Sequence, residues 1–255
     1  MMSRKEEISQ ENRRARKWFI PIVIVSGVVG AILGILMVFL GTTGIQRAAG
    51  AMTQKVTMLA PYLLAAEAVI FNILAFAMYR KSRVLLREWD GEEEEIPNQI
   101  DIKLNYALWA LSLNQVISFL LFALGVDLRP EDMTGVRNEL ILAVVFMANV
   151  FISIWIQQKV VDLSKEMNPE KKGSVYDIRF QSKWMDSCDE AEKMQVYQAA
   201  YSAFKVTNIA FMIVWLFAFL AIEFAGTGVF ACVMISILWG IHVSVYCFKT
   251  IQLAK

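Results

Sequence analysis

Four side chains that could carry chemistry lie near the middle of long apolar runs, where polar groups are costly. They are Glu67, Asn114, Gln115 and Asn149. A charged carboxylate at the centre of a bilayer costs about 2.5–3.5 kcal/mol on insertion scales, so Glu67 must be protonated or have polar partners inside a bundle. Amides at the same depth are natural partners. This layer predicts a substrate or proton pathway or, alternatively, interhelical hydrogen bonds worth about 0.6 kcal/mol each.

The runs that hold these residues predict an all-α, polytopic membrane bundle. The chain has 255 residues, of which 57% are hydrophobic, against about 45–50% in soluble domains. Six runs have the length of a transmembrane helix. We expect a single integral membrane domain over residues 1–255. The predicted spans are 18–40, 57–79, 104–126, 139–160, 206–223 and 229–248.

The distribution of lysine and arginine predicts the orientation. The amino-terminal segment, the loop after the second span, the loop after the fourth and the carboxyl-terminal tail together carry 21 of the 25 basic residues. Because cytoplasmic loops are enriched in Lys and Arg, both termini and both long loops are expected in the cytoplasm. The first run is too long for the core of a signal peptide, and we expect it to be retained. We therefore predict a multi-pass protein of a bacterial plasma membrane.

The polar stretch between the fourth and fifth spans has a helical pattern of its own. Spacings of three and four predict an amphipathic cytoplasmic helix over about 175–204, which runs on into the fifth span. Asp189 and Lys193 have the order that favours a helical ion pair. The apolar face indicates either a helix lying at the membrane surface or a docking face for a partner. The candidate partner-binding residues are Trp184, Cys188, Tyr197, Tyr201 and Phe204.

The same stretch resembles a known family. The run from Phe180 to Lys193, followed by Tyr197-x-x-Ala200-Tyr201-x-x-Phe204, is similar to the most recognisable segment of domain-of-unknown-function family 3169, an uncharacterised membrane family of Gram-positive bacteria. The resemblance implies six spans and a bacterial host, but no catalytic residues. Members are often encoded beside small DNA-binding regulators, which suggests a regulated membrane response.

Enzyme, cofactor and nucleic-acid functions are not favoured. The sequence has no H-E-x-x-H helix and no phosphate-binding P-loop, and no G-x-S-x-G elbow. Its net charge of +1 gives no field for nucleic acid. The three cysteines show no metal-type spacing, and the acidic residues near Cys188 are spread around a helix axis. His242, the only histidine, is interpreted as a packed residue near the interface. We expect no cofactor, no metal site and no catalytic residue.

Three functions are therefore compared. The first is a regulatory, immunity or accessory membrane protein that binds a cytoplasmic or membrane partner through the amphipathic helix. The second is a small transporter or channel subunit that uses the layer around Glu67. The third, and least favoured, is a membrane-embedded enzyme. The partners expected are the lipid bilayer, a cytoplasmic or membrane protein, and further copies of the same chain in a homo-oligomer.

Overall fold

The computed structural model describes residues 42–92, 95–126 and 133–254, together with Pro21, Val25, Val28 and Ile32. Within these residues the regular elements are all α-helices, which confirms the predicted all-α class for this part of the chain. The predicted first span, 18–40, lies outside the described residues except for those four helical positions. The helices are α1 (Thr42–Glu88), α2 (Glu95–Gly125), α3 (Met133–Met167), α4 (Phe180–Asp186), α5 (Glu190–Ala225) and α6 (Phe230–Leu253).

In the part of the chain that the structure describes, five helical segments are long and apolar enough to cross a membrane. They match the predicted second to sixth spans in order, so the protein is of the helical membrane type. Many of their large apolar side chains are exposed, as is expected of surfaces that face lipid. The segments are Met58–Glu88, Glu95–Gly125, Gly135–Met167, Glu190–Ile222 and Phe230–Leu253.

The helices are longer than the apolar runs that predicted them. The short loop expected before the second span is helical from Thr42, and α1 continues through the basic segment to Glu88. Lys, Arg, Leu and Glu are good helix formers, so the backbone remains helical after the apolar run ends. The chain turns instead at Gly91, whose φ of 90° is accessible to glycine. Apolar content therefore located the spans but not the helix ends.

The chain divides into two compact units, and one of them, Ala51–Val206, contains most of α1 and all of α2 to α4. Small residues let its three long helices approach closely. A Cβ atom on Gly125 of α2 would lie 2.7 Å from Cβ of Ala60 in α1 and 3.0 Å from a methyl group of Leu142 in α3. Ala60 and Leu142 are both fully buried. This close approach sets the spacing at which α1, α2 and α3 present polar side chains to one another.

The other unit contains Met1–Gly50 and Thr207–Lys255. In its described part, the end of α5 and α6 are tied by indole hydrogen bonds. Trp239 Nε1 donates to Asn208 Oδ1 (2.6 Å) and Trp215 Nε1 donates to Ser236 Oγ (3.0 Å). The His242 ring packs on Phe211 with 5.5 Å between ring centroids. The chain turns between these two helices at Gly226 and Gly228, which both have positive φ.

The predicted amphipathic helix over 175–204 is not continuous. Residues 175–179 form turns, and the helix is interrupted between α4 and α5. The break has a local cause. The N–H of Glu192 donates to Asp189 Oδ1 (2.7 Å) and the N–H of Asp189 donates to Glu192 Oε2 (3.0 Å), a capping box that starts α5. Since Asp189 serves as this cap, Lys193 pairs with Glu190 instead of Asp189.

Candidate functional site

The three long helices of the unit Ala51–Val206 bring six polar side chains together inside the apolar region. Two of the helices carry the same pair of side chains on one face. Asn114 and Ser118 in α2 are four residues apart, and so are Asn149 and Ser153 in α3. The least buried of the six is 9% exposed. We call this group the polar cluster; it consists of Glu67, Asn72, Asn114, Ser118, Asn149 and Ser153.

Asn149 is the centre of the polar cluster. Its Oδ1 accepts hydrogen bonds from Asn72 Nδ2 (2.6 Å) and Asn114 Nδ2 (3.1 Å). Its Nδ2 donates to Asn114 Oδ1 (3.2 Å) and Ser118 Oγ (2.6 Å). One side chain of α3 therefore bonds to α1 and, at two positions, to α2.

Ser153 forms a second set of hydrogen bonds between the same helices. Its hydroxyl donates to Asn72 Oδ1 (3.2 Å) and accepts from Asn114 Nδ2 (2.8 Å). Asn72 also donates to the carbonyl of Ala68 in its own helix (2.8 Å). The amide end of the polar cluster is thus well satisfied, as buried polar groups must be.

Glu67 lies at the other end of the polar cluster and is less satisfied. The Ser118 hydroxyl donates to Glu67 Oε1 in a short hydrogen bond. Glu67 Oε2 is buried and has no hydrogen-bond partner. The carboxyl group therefore retains the capacity to hold a proton or to bind a positively charged group.

Three of the four predicted pathway residues meet, and one does not. Glu67, Asn114 and Asn149 belong to the polar cluster, whereas Gln115 has no hydrogen bond to it and leaves its Nε2 buried without a partner. Adjacent residues of a helix point about 100° apart, so the neighbour of Asn114 faces another direction. The sequence reasoning missed three members. A repeated N-x-x-x-S spacing within two apolar runs was the available signal for Ser118 and Ser153, and Asn72 lay five residues after Glu67.

The predicted partner-binding residues separate into two groups, and Trp184 and Cys188 form the inner one. Buried Lys171 lies between them: its Nζ donates to Cys188 Sγ (3.3 Å) and sits 5.5 Å from the centre of the Trp184 ring. Lys171 also forms an ion pair with Glu192 at the start of α5. Burial lowers the pKa of Lys171, but hydrogen bonds to Glu192 and Cys188 outweigh it and leave the pKa above its usual value. These residues fix the loop against α5.

The outer group lies on the first turns of α5. Met194, Tyr197 and Tyr201 are more than half exposed, and their spacing of three and four places them on one side of the helix. We call these three residues the aromatic face. Phe204, at the same periodicity, is half-buried. Trp184 and Cys188 are not part of this face because the chain breaks before α5 begins.

Comparison with known proteins defines the family. A family model described as a protein of unknown function (DUF3169) matches residues 13–250. The chain therefore belongs to this family, as its polar stretch predicted. Neither curated proteins nor solved structures give a significant match.

Proposed function

We propose that this protein is a six-span membrane protein of regulatory, immunity or accessory type, which binds a partner protein through the aromatic face of α5. The observation that carries the proposal is the exposure of Met194, Tyr197 and Tyr201, which are 56%, 58% and 53% accessible. Tyrosine supplies a large contact area at low entropic cost and is enriched in protein interfaces. The function is one of binding, and no catalytic step is assigned.

The expected topology makes the aromatic face accessible to the cytoplasm. The excess of Lys and Arg favours cytoplasmic termini and cytoplasmic long loops, in the plasma membrane of a bacterium. With the retained first span the protein has six spans. The aromatic face then lies just outside the bilayer, before the apolar part of α5.

Partner binding there can be transmitted to the membrane because α5 is continuous from Glu190 to Ala225. A helix transmits a displacement of one end to the other as a rigid element. Its start is held by the Asp189–Glu192 capping box and by the ion pair from Lys171. A partner that repositions this start would also move the membrane part of α5.

Crosslinking from the aromatic face tests this proposal. A photo-reactive amino acid at position 197 should form one discrete crosslinked species in the native membrane, and combined replacement of Met194 and Tyr201 by alanine should remove it. The matched control replaces Gln195 and Ser202, which are exposed on another side of the same helix. Equal crosslinking in the two double variants would reject the aromatic face as a binding surface.

A second candidate function, ion or proton transport, is favoured by the unpaired Glu67 Oε2 inside the polar cluster. Buried carboxylates in membrane spans commonly mark ion and proton pathways. The test is proton flux into proteoliposomes that carry an imposed potential, measured with an internal pH-sensitive dye. Glu67→Gln should abolish the flux, whereas Ser112→Ala, at an exposed site on α2, should not. Flux that is absent from the wild type, or unchanged in Glu67→Gln, would reject this candidate.

A further inference from the structure

A cavity lined by positive charges lies between α1 and α2, within the unit Ala51–Val206. Its volume is about 580 Å³. Arg80 and Lys81 line it from α1, and Lys103 lines it from α2. We call it the basic cavity. Its wall also includes the apolar residues Ala77, Val84 and Leu85.

The expected topology puts the basic cavity at the edge of the bilayer. Arg80 and Lys81 directly follow the apolar run 57–79, and Lys103 directly precedes the run 104–126. Both of these ends are expected on the cytoplasmic side, because the loop that joins them is rich in Lys and Arg. A ligand in the basic cavity therefore lies at the depth of the lipid head groups.

The residues that the structure describes do not neutralise the positive charges of the basic cavity. Among them, no ion pair or hydrogen bond engages the side chains of Arg80, Lys81 and Lys103. One acidic side chain is tied to the lining, because Gln99 Nε2 donates to Glu95 Oε1 (3.1 Å). An excess of positive charge remains, and basic pockets between membrane helices are suited to anionic lipid head groups.

An apolar groove adjoins the basic cavity on the membrane side. Ala77 and Arg80 line both depressions. The groove has a volume of about 460 Å³ and lies between α1 and α3, mostly within the predicted spans. Its surface suits an acyl chain and offers little to a soluble anion. Apart from Asn72 and Arg80, its lining is apolar and consists of Ile73, Phe76, Ala77, Ile152, Trp155 and Ile156.

We propose that the basic cavity binds the phosphate head group of an anionic glycerophospholipid, and that one acyl chain of this lipid lies in the apolar groove. The phosphodiester supplies the negative charge, and the guanidinium of Arg80 can donate two parallel hydrogen bonds to it. A zwitterionic lipid fits less well, because its choline or ethanolamine group brings a further positive charge to the three already present. The site requires that the helices cross a bilayer, but it depends neither on the aromatic face nor on proton transport.

Native mass spectrometry of the full-length protein in non-ionic detergent counts bound lipid and tests the site. One phosphatidylglycerol should bind at least about tenfold more tightly than phosphatidylcholine. Arg80→Gln combined with Lys103→Gln should weaken phosphatidylglycerol binding about 25-fold, since each basic residue at the membrane surface contributes about fivefold. The matched control, Arg87→Gln combined with Lys172→Gln, removes the same charge from exposed positions outside both depressions and should leave the affinity unchanged. Equal affinity for the two lipids, or equal effects of the two double variants, would overturn the proposal.

Ala77→Leu provides a test that leaves every charge in place. A larger side chain where the two depressions meet should obstruct the lipid and weaken phosphatidylglycerol binding at least about fivefold. Ala148→Leu, at an exposed position in the membrane part of α3, is the matched control and should have no effect. Unchanged affinity in Ala77→Leu, or displacement of the lipid by millimolar inorganic phosphate, would assign the basic cavity to a soluble phosphate compound and overturn the lipid site.

Discussion

Replacing Asn149 by alanine should be the most destabilising of the amide-to-alanine changes in the polar cluster. Asn149 is 2% exposed and takes part in four hydrogen bonds to the neighbouring helices. Hydrogen bonds within membranes contribute about 0.6 kcal/mol each on average, so the loss is about 2.4 kcal/mol. For a chain of this size the melting temperature should fall by about 5–10 °C.

The same estimate predicts the order in which the three asparagine-to-alanine changes reduce stability. Asn114 takes part in three hydrogen bonds of the polar cluster, so Asn114→Ala should cost about 1.8 kcal/mol. Asn72 makes two bonds to other helices, which gives about 1.2 kcal/mol. Ser112 donates only to the Leu108 carbonyl of its own helix. Ser112→Ala, the control, should change stability by less than about 0.5 kcal/mol.

The variants are purified in mild detergent and unfolded with sodium dodecyl sulfate, and the loss of helix is monitored by far-ultraviolet circular dichroism. The expected order of loss is Asn149, then Asn114, then Asn72, with Ser112 last. If Asn149→Ala is no more destabilising than Ser112→Ala, or if the order is reversed, the polar cluster does not hold the three helices together.

Three further predictions concern the packing and the loop. Gly125→Ala should cost about 1–3 kcal/mol by overpacking against Ala60 and Leu142. Gly240→Ala, in open space within α6, should instead stabilise by up to about 1 kcal/mol, because alanine favours a helix. Equal melting temperatures of the two variants would contradict the close approach at Gly125. Gly173→Ala should loosen the loop, because φ is 124° and the new Cβ would lie 2.9 Å from the Phe180 ring; unchanged amide exchange around Phe180 would contradict this. The pKa of Lys171 is raised by its contacts in the folded protein. These contacts should therefore stabilise the loop fully up to the usual lysine pKa of about 10.4, and they should weaken only as the pH rises through the higher pKa of the folded state. Trp184 fluorescence should report that transition, and Lys171→Met should lack it.

The sequence by itself determined the membrane class and the order of the spans. Long uncharged runs are readable without coordinates, because burying the backbone in lipid requires helices of a known minimum length. It also located Glu67, Asn114 and Asn149, since a polar residue within such a run is conspicuous. The family followed from the spacing of aromatic and charged residues between Phe180 and Phe204.

Only the tertiary structure decided which polar residues meet. Gln115 and Asn114 are indistinguishable by depth, yet their directions differ by about 100° around the helix, and only Asn114 enters the polar cluster. Ser118 and Ser153 are too common in apolar helices to be selected before their partners are known. Their role depends on how α1, α2 and α3 are rotated about their axes, which only the packed structure shows.

The break between α4 and α5 is a second feature that the sequence pattern did not predict. The spacing of Trp184, Cys188, Tyr197 and Tyr201 predicted one helix face, because this prediction assumed an uninterrupted helix. Two reciprocal hydrogen bonds between Asp189 and Glu192 start a new helix. Trp184 and Cys188 contact the buried Lys171 side chain and so do not join the exposed face of that helix. Composition fixes which residues are apolar, but long-range contacts decide which of them remain exposed.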